Sequence, residues 1–395
     1  MNRVVINLEA LSHNLAAVGE LMREHGATWT VVVKSLCGHQ QTIEALQLLG
    51  IRSIADSRLG TLAVTREVAH ELETWYLRPP HLSAAPEVVR LAHVSMNSEL
   101  DVIRALSEAA VEQDRVHRVV IMIELGDLRE GLLPQELADF YETVFELPNI
   151  EVPGLGAYVG VQNGIGPNTD QLSQLLLYRE LLELKYDRPL PLISAGTTDL
   201  LPLLMDGKLP RGINHFRIGE ACFLGTAPPS GEVLPGFRGD VVRVEAEIAE
   251  IKEKSLVPAG ETGGITPFEH TAAEPDGDLP PGQRGYRALV TIGQLDTDIF
   301  GLTPTRTGHQ IAGASSDISV VNLGEGNGYR VGETIAFEPS YEAFVRLMGS
   351  SYIEKAVRPS LDEFAKALPE RWKTPVPPTV EGLPPGAAPQ TASST

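Results

Sequence analysis

Two hydrophobic periods alternate along the first 225 residues, and this alternation limits the fold more than any other feature of the sequence. Leu11, Leu15 and Val18 recur three or four positions apart, which indicates one buried face of a helix. Gly26 ends this helix, and the apolar run Thr28–Val33 that follows is typical of a buried strand. Runs of this kind predict the strands Thr28–Val33, Ile51–Ala55, Thr74–Leu77, His93–Met96, Arg118–Glu124, Val152–Tyr158, Leu190–Ser194 and Asn214–Ile218.

Eight strands separated by helices within this length predict an α/β fold, a (β/α)8 TIM-like barrel followed by a mostly β C-terminal domain. The barrel is predicted over residues 1–225, with its first strand allowed to join the second domain. An open, doubly wound sheet is the alternative that the same pattern leaves open.

Glycine- and proline-rich turns separate the strands predicted after residue 225, so residues 226–360 are predicted to form the β-rich domain. Helix is predicted there only over Tyr341–Met348 and Tyr352–Leu368. The stretch Pro258–Arg284 is predicted to be a long loop. Residues 361–395 are predicted to be the end of the last helix and a disordered, proline-rich tail, because little apolar surface is available there to bury.

The charge of the chain narrows the classes of partner. Its 52 acidic and 32 basic side chains give a formal charge of −20, which repels nucleic-acid phosphates and anionic lipid. Two cysteines, no signal-peptide pattern and no apolar stretch of membrane-spanning length predict a cytoplasmic protein with no nucleic-acid or membrane partner. The ten histidines show no metal-ligand spacing, so no metal site is predicted.

The active site of a βα barrel lies at the C-terminal ends of its strands, and Lys34 stands at the end of the first one. It is the only lysine among the first 184 residues. A lysine that begins in an apolar layer has a lowered pKa, and its neutral amine can form the Schiff base that pyridoxal phosphate chemistry requires. The alternative is a surface lysine whose stem packs on apolar neighbours.

The segment Lys34-Ser-Leu-Cys-Gly-His39 resembles the pyridoxal-lysine motif of alanine racemases. It is more similar to the motif of the alanine/ornithine racemase family, fold type III pyridoxal-phosphate amino-acid racemases, which is shorter and includes Cys-Gly. The resemblance covers about residues 4–356. Further segments resemble the family in the same order: Asn7–Leu15, Ala55–Arg58, Glu124–Gly131, Ile193–Thr198, Gly212–Glu220, Gly313–Asp317 and Tyr341-Glu342.

The resemblance implies pyridoxal 5'-phosphate as the cofactor, with Lys34 as the Schiff-base residue and one catalytic base. It implies that Arg217 faces the pyridine nitrogen and that Tyr158 takes the place of a histidine near the ring. A guanidinium cannot give up its proton, so it would leave that nitrogen unprotonated and weaken the ring as an electron sink. The cofactor contacts implied at the phosphate end are Thr197, Thr198, Gly219, Glu220 and Tyr341.

The resemblance also implies residues that act on the substrate. Arg129 matches a catalytic-site arginine that orients a lysine or the substrate carboxylate, and Ser316 and Asp317 match substrate-binding positions. The family forms a head-to-tail homodimer in which each barrel mouth is completed by the β domain of the other subunit. The activity implied is racemisation of an amino acid by transfer of the α-proton between two bases, with a small-molecule amino acid as substrate.

The sequence departs from the alanine racemase pattern at the second catalytic base. Alanine racemases take it from a tyrosine in a Gly-Tyr-x-Asp segment, whereas the matching segment here is Gly293-Gln-Leu-Asp296. Asp296, Cys37 and Asp298 are the candidates to replace it, in that order. Asp296 and Asp298 could instead pair with the distal ammonium of ornithine or another polar or basic amino acid. A non-catalytic pyridoxal-phosphate-binding protein and a same-fold decarboxylase or aldolase are the alternative functions.

Overall fold

The computed structural model describes residues 2–158, 160, 166, 168–228, 230–256, 283–326 and 328–368. Its strands are β1 (Arg3–Asn7), β2 (Thr28–Val32), β3 (Ser53–Asp56), β4 (Glu73–Tyr76), β5 (Val94–Asn97), β6 (His117–Ile123), β7 (Ile150–Glu151), β8 (Gly154–Ala157), β9 (Leu192–Thr197), β10 (His215–Ile218), β11 (Val242–Ser255), β12 (Arg284–Val290), β13 (Leu302–Pro304), β14 (Gln310–Ala314), β15 (Ser319–Gly324), β16 (Thr334–Pro339) and β17 (Glu354–Arg358). Its helices are α1 (Leu8–His25), α2 (Gln40–Leu48), α3 (Leu59–Val68), α4 (Ala85–Leu91), α5 (Leu100–Glu112), α6 (Leu137–Phe145), α7 (Thr169–Tyr186), α8 (Leu201–Met205), α9 (Glu220–Phe223), α10 (Tyr341–Gly349) and α11 (Leu361–Ala367).

The predicted closed barrel is confirmed. Its parallel strands follow the order β5-β4-β3-β2-β10-β9-β8-β6, and β6 pairs with β5 to close the ring. The short strand β7 adds to the start of β6. Each of the eight strands predicted from apolar runs lies within three residues of an observed barrel strand at both ends. Closure excludes the open, doubly wound sheet.

Helix α1 connects β1 to the first barrel strand, β2, and local contacts fix both of its ends. The side chain of Asn7 accepts the backbone N–H groups of Glu9 and Ala10, each at 3.1 Å, which satisfies two donors at the start of the helix. At the other end Gly26 adopts φ 73°, a left-handed conformation that glycine reaches without strain. The chain therefore turns directly into β2.

The barrel interior contains apolar and polar layers. The apolar layer consists of Val32, Ala55, Trp75, Val94, Met96, Val120, Met122 and Leu192. Polar side chains adjoin this layer, and one of them, the ring of His215, stacks on Trp75 with 4.5 Å between the ring centroids. The larger apolar core fills the space between the barrel and its surrounding helices. The interior is thus a packed core rather than a channel.

The second domain is a mostly antiparallel sheet with the order β13-β16-β11-β12-β15-β14. Strand β1 belongs to this sheet, because it pairs antiparallel with β11 and parallel with β17. Helix α10 packs beside the turn Lys34–Leu36, so the second domain contributes to the mouth of the barrel. None of the helices in the described ranges is long and apolar enough to cross a membrane.

The prediction of one helix over Tyr352–Leu368 is wrong. Residues Glu354–Arg358 form β17, and only Leu361–Ala367 are helical. Pro359 has no N–H and disfavours helix at the residue before it, while β1 offers a free edge for pairing. Of the predicted loop, residues 257–282 lie outside the described residues, and Arg284 begins β12; the predicted tail beyond residue 368 also lies outside them.

Candidate active site

A cavity of about 630 Å³ opens at the C-terminal ends of the barrel strands. Its volume is in the range of small-molecule and cofactor sites. Cys37, Asp296, Asp298, Ser316 and Asp317 are not among the residues that line it. The predicted residues that do line it are Lys34, Arg129, Tyr158, Thr197, Thr198, Arg217, Gly219, Glu220 and Tyr341.

Lys34 is held at the cavity by the end of β2. The backbone N–H of Val33 donates to the carbonyl of Ala55 at 2.8 Å, and the chain then turns so that the Lys34 side chain extends into the cavity. The side chain reaches solvent through the open mouth, but the surrounding walls lower its pKa by removing water. Arg129 lowers this pKa further, and nearby carboxylates oppose the shift. The neutral amine of Lys34 is therefore easier to form than that of an ordinary lysine.

Arg217 on β10 is buried at the base of the cavity. Its Nη1 donates to the carbonyl of Ser194 and, at 2.7 Å, to the Ser194 hydroxyl, and its Nη2 donates to the carbonyl of Ala157 at 2.9 Å. These bonds connect β8, β9 and β10 and fix the plane of the guanidinium. Burial lowers the pKa of Arg217 to about 10, so it remains a cation at neutral pH.

A buried polar chain continues from Arg217 into the barrel. The Ser194 hydroxyl lies 2.8 Å from Nδ1 of His215, whose Nε2 lies 3.0 Å from the hydroxyl of Thr30. Burial lowers the pKa of His215 to about 3, so the ring is neutral. The sequence analysis missed this chain, although polar residues at inward positions of apolar strands were a signal that could have revealed it.

Gly219 leaves space at the end of the cavity where the family resemblance implies that the cofactor phosphate binds. A Cβ on this residue would lie 3.0 Å from the carbonyl oxygen of Val32 and 3.2 Å from its Cβ, so the end of β2 would have to shift by a few tenths of an ångström to accept it. The Glu220 carboxylate accepts the hydroxyl of Thr226 at 2.7 Å. Backbone N–H groups beside a glycine suit a phosphate because they present partial positive charge without a mobile side chain.

Tyr341 reaches the same cavity from the second domain. It is the first residue of α10, and the side chain of Ser340 accepts the backbone N–H of Ala343 at 3.2 Å to start that helix. Burial raises the pKa of Tyr341 to about 12. Its phenol therefore stays protonated and can donate a hydrogen bond to an anion.

These residues fit pyridoxal phosphate. Lys34 supplies an amine for covalent attachment, and Arg217 supplies a fixed guanidinium at the base of the cavity. Thr198, Gly219 and Tyr341 supply hydroxyl and backbone donors for a phosphate. The donor set matches an anionic, aromatic cofactor rather than a metal.

Tyr158, Arg129 and Asp199 form a group on another side of the mouth. The Arg129 guanidinium lies 4.4 Å from the centroid of the Tyr158 ring and also forms an ion pair with Glu130. The Tyr158 hydroxyl donates to Oδ2 of Asp199 at 3.1 Å, and the Thr197 hydroxyl lies 3.5 Å from the same oxygen. Asp199 lines the cavity and was missed by the sequence analysis, although it directly follows two predicted site residues at a strand end.

Cys37 lies beside the barrel mouth but makes other contacts. Its Sγ lies 3.9 Å from the carbonyl oxygens of Lys34 and Val345, and its backbone has φ 48°. Burial raises the pKa of the Cys37 thiol, which disfavours the thiolate. Its role as a base stays a sequence prediction.

The other predicted residues outside the cavity lie together in the second domain. Asp296 accepts the backbone N–H of Gly293 at 3.0 Å, and the N–H of Gln294 donates to the carbonyl of Ser315 at 3.0 Å. The Ser316 hydroxyl donates to the Asp317 carboxylate at 2.7 Å. Hydrogen bonds thus join the segments 293–296 and 315–317, and none of their residues is among those that line the cavity of their own chain.

Comparisons with known proteins agree with this architecture. The family model described as "Alanine racemase, N-terminal domain" matches residues 6–227. A structure of alanine racemase from Bartonella henselae with covalently bound pyridoxal phosphate has a TM-score of 0.67 at 14% identity, covering 90% of this chain and 99% of that one. At this identity the likeness shows the fold alone.

Two curated relatives are more similar in sequence. Ornithine racemase of Acetoanaerobium sticklandii is 34% identical over 355 residues, which is 89% of this chain and 98% of that protein. Lysine racemase of Thermotoga maritima is 30% identical over 361 residues, 91% of this chain and 99% of that protein. The family model matches more than half of this chain, and the two relatives are similar to it over nearly its whole length. The chain therefore belongs to the alanine/ornithine racemase family of amino-acid racemases.

Proposed function

We propose that this chain racemises a basic amino acid, ornithine first, with pyridoxal phosphate bound at the barrel mouth. The observation that carries the proposal is the single cavity shared by Lys34, Arg217, Thr198 and Gly219. This combination supplies an attachment amine, a fixed partner for a ring nitrogen and donors for a phosphate. The names of the two curated relatives, an ornithine and a lysine racemase, support a basic substrate.

Pyridoxal phosphate, when bound, supplies the electron sink that makes the α-proton of an amino acid removable. Lys34 then moves a proton at Nζ on one face of the substrate, and its lowered pKa lets the amine accept that proton nearer to neutral pH. Arg217, held by two strands, keeps its own protons and fixes the orientation of the ring. Arg129 is proposed to orient the substrate carboxylate.

We propose a head-to-tail homodimer in which the second domain of one copy completes the cavity of the other. Asp296, Ser316 and Asp317 would then reach the substrate from the second copy, and Asp296 or Asp298 would pair with its distal ammonium. Leu295 supports an interface at this surface, because 74% of this apolar side chain is exposed in the single chain.

The test is chiral chromatography after the purified protein, loaded with pyridoxal phosphate, is incubated separately with each enantiomer of ornithine, lysine and alanine. We expect ornithine and lysine to reach equal amounts of both enantiomers, and alanine to react more slowly. Release of carbon dioxide with formation of a diamine would indicate a decarboxylase instead. Cofactor binding without any product would indicate a non-catalytic binding protein.

A further inference from the structure

We infer that Tyr158, hydrogen-bonded to Asp199, is the proton-transfer group on the face of the substrate opposite Lys34. Both proton-transfer groups would then come from one barrel. This inference rests on the proposed racemase function and concerns the group that replaces the missing tyrosine of the second domain. It assigns a catalytic role to Tyr158 and a positioning and proton-accepting role to Asp199.

The strand order places the two groups on separate, non-adjacent strands at the barrel mouth. Lys34 follows β2 and Tyr158 follows β8, and in the closed ring of eight strands β8 is the third strand from β2 by the shorter path. Both side chains line the cavity, and Arg217 stands on the intervening β10, so on this inference a substrate bound between them would meet Lys34 on one face and Tyr158 on the other. Racemisation needs a proton-transfer group on each face, because the proton leaves one face of the α-carbon and returns to the other.

The hydrogen bond between the two side chains has the direction that a relay requires. The Tyr158 hydroxyl donates to Oδ2 of Asp199 at 3.1 Å, so its oxygen lone pairs remain available to accept a second proton. Burial and Asp199 raise the pKa of Tyr158, so the phenol is protonated at neutral pH and can act only by passing its proton on. Burial also raises the pKa of Asp199, which makes its carboxylate a stronger base than an exposed one.

Neighbouring groups keep the phenol in place. The Arg129 guanidinium covers the Tyr158 ring, and the ring also packs on the apolar layer inside the barrel. Among the described residues, Asp199 accepts hydrogen bonds from the neutral hydroxyls of Tyr158 and Thr197, and the charge of Lys34 also acts on its carboxylate. Glu130, in contrast, is occupied by its ion pair with Arg129. Asp199 is thus the cavity carboxylate best placed to accept a proton from the phenol.

The C–H bond at the α-carbon breaks and its proton forms an O–H bond with the Tyr158 oxygen, while the original phenol proton moves to Oδ2 of Asp199. The electron pair of the broken bond forms the new C–H bond when the protonated Nζ of Lys34 delivers a proton to the opposite face. The reverse reaction uses the same atoms in the opposite order. Lys34 and Asp199 exchange protons with solvent between turnovers.

The test measures exchange of the α-proton with deuterated solvent for each enantiomer of ornithine, followed by NMR, with the full-length protein loaded with pyridoxal phosphate. Tyr158→Phe removes the hydroxyl and keeps the ring. We expect it to slow racemisation at least about a hundredfold and to abolish exchange from one enantiomer only. Asp199→Asn should slow exchange from the same enantiomer, because an amide cannot accept the relayed proton.

A second measurement separates catalysis from cofactor placement. Pyridoxal phosphate is titrated into the apoprotein and followed by absorbance, and its affinity for the Tyr158→Phe protein should stay within about twofold of wild type. Tyr141→Phe is the matched control, because it removes a buried hydroxyl that has no hydrogen-bond partner among the described residues. It should leave both the exchange of each enantiomer and the cofactor affinity unchanged.

Equal exchange of both enantiomers by Tyr158→Phe at wild-type rates would overturn the inference. So would a parallel loss of both exchanges together with cofactor affinity, since that result marks a structural role. Selective loss of the same exchange in Asp296→Asn, with Tyr158→Phe unaffected, would assign the role to the second copy instead. Failure of the wild-type protein to racemise any amino acid would overturn the proposed function itself, a result that is distinct from each of these.

Discussion

The hydroxyl of Ser194 lies 2.7 Å from Nη1 of Arg217, so a small side chain on β9 positions the guanidinium at the base of the cavity. The same hydroxyl lies 2.8 Å from Nδ1 of His215. One oxygen therefore joins Arg217 to the polar layer inside the barrel.

Ser194→Ala should lower the free energy of unfolding by about 1–3 kcal/mol, because it leaves two buried groups without a shared hydrogen-bond partner. Urea denaturation of the apoprotein measures this change. Ser173→Ala on α7 is the matched control, since the hydroxyl of Ser173 donates to the carbonyl of Thr169 at an exposed site. An equal effect of both substitutions would contradict the role assigned to Ser194.

Lys34→Ala should abolish covalent attachment of pyridoxal phosphate by borohydride and slow racemisation at least about a thousandfold. The reason is that Lys34 is the lysine that lines the cavity described here. Mass spectrometry of the reduced protein detects the attachment. Lys208→Ala, which removes an exposed lysine paired with Asp206, should attach the cofactor as wild type does. A reducible adduct that persists in Lys34→Ala would refute the assignment.

Gly219→Ala should weaken binding of pyridoxal phosphate by about tenfold. Its Cβ would press on Val32 at 3.0–3.2 Å and shift the end of β2, which carries Lys34. Absorbance titration of the apoprotein measures the affinity. Gly19→Ala is the control: nothing lies within 4 Å of its Cβ, and in the middle of α1 it should instead stabilise the protein by up to about 1 kcal/mol.

The contribution of Asp56 to the free energy of unfolding should be larger at acidic pH than at neutral pH. Burial raises its folded pKa from 3.8 to about 6, so between these values the folded state binds more protons than the unfolded state. Its contribution is complete below the unfolded pKa and is lost as the pH rises through about 6. The stability of wild type relative to Asp56→Asn should therefore fall by on the order of 3 kcal/mol between pH 4 and 7, measured by urea denaturation. A flat difference across this range would contradict the prediction.

Leu295→Arg should convert the proposed homodimer to a monomer, because a cation would replace an apolar side chain at the proposed interface. Light scattering coupled to size-exclusion chromatography measures the mass. Leu184→Arg is the control, since Leu184 on α7 is 83% exposed and lies outside that surface. A Leu295→Arg protein that keeps the mass of wild type would place the interface elsewhere.

Sequence alone located the barrel strands and Lys34 for local reasons. A buried parallel strand needs a short, almost continuous apolar run, so the eight runs in the first 225 residues were visible without any tertiary information. Lys34 was visible because a lone lysine directly follows one of these runs. Arg217 and Gly219 became site candidates through the motif around them.

Tertiary structure decided the features that depend on partners distant in the chain. Residues Glu354–Arg358 form a strand because β1, more than three hundred residues earlier, offers an edge to pair with. Tyr158 and Asp199 meet because β8 and β9 are neighbours in the barrel, and 41 residues separate them in sequence. Hydrogen bonds of this kind leave no periodic pattern in the sequence, since each needs only one polar residue at each of two strand ends. The composition of the cavity could therefore be predicted in large part, whereas its pairing of a phenol with a carboxylate required the closed barrel.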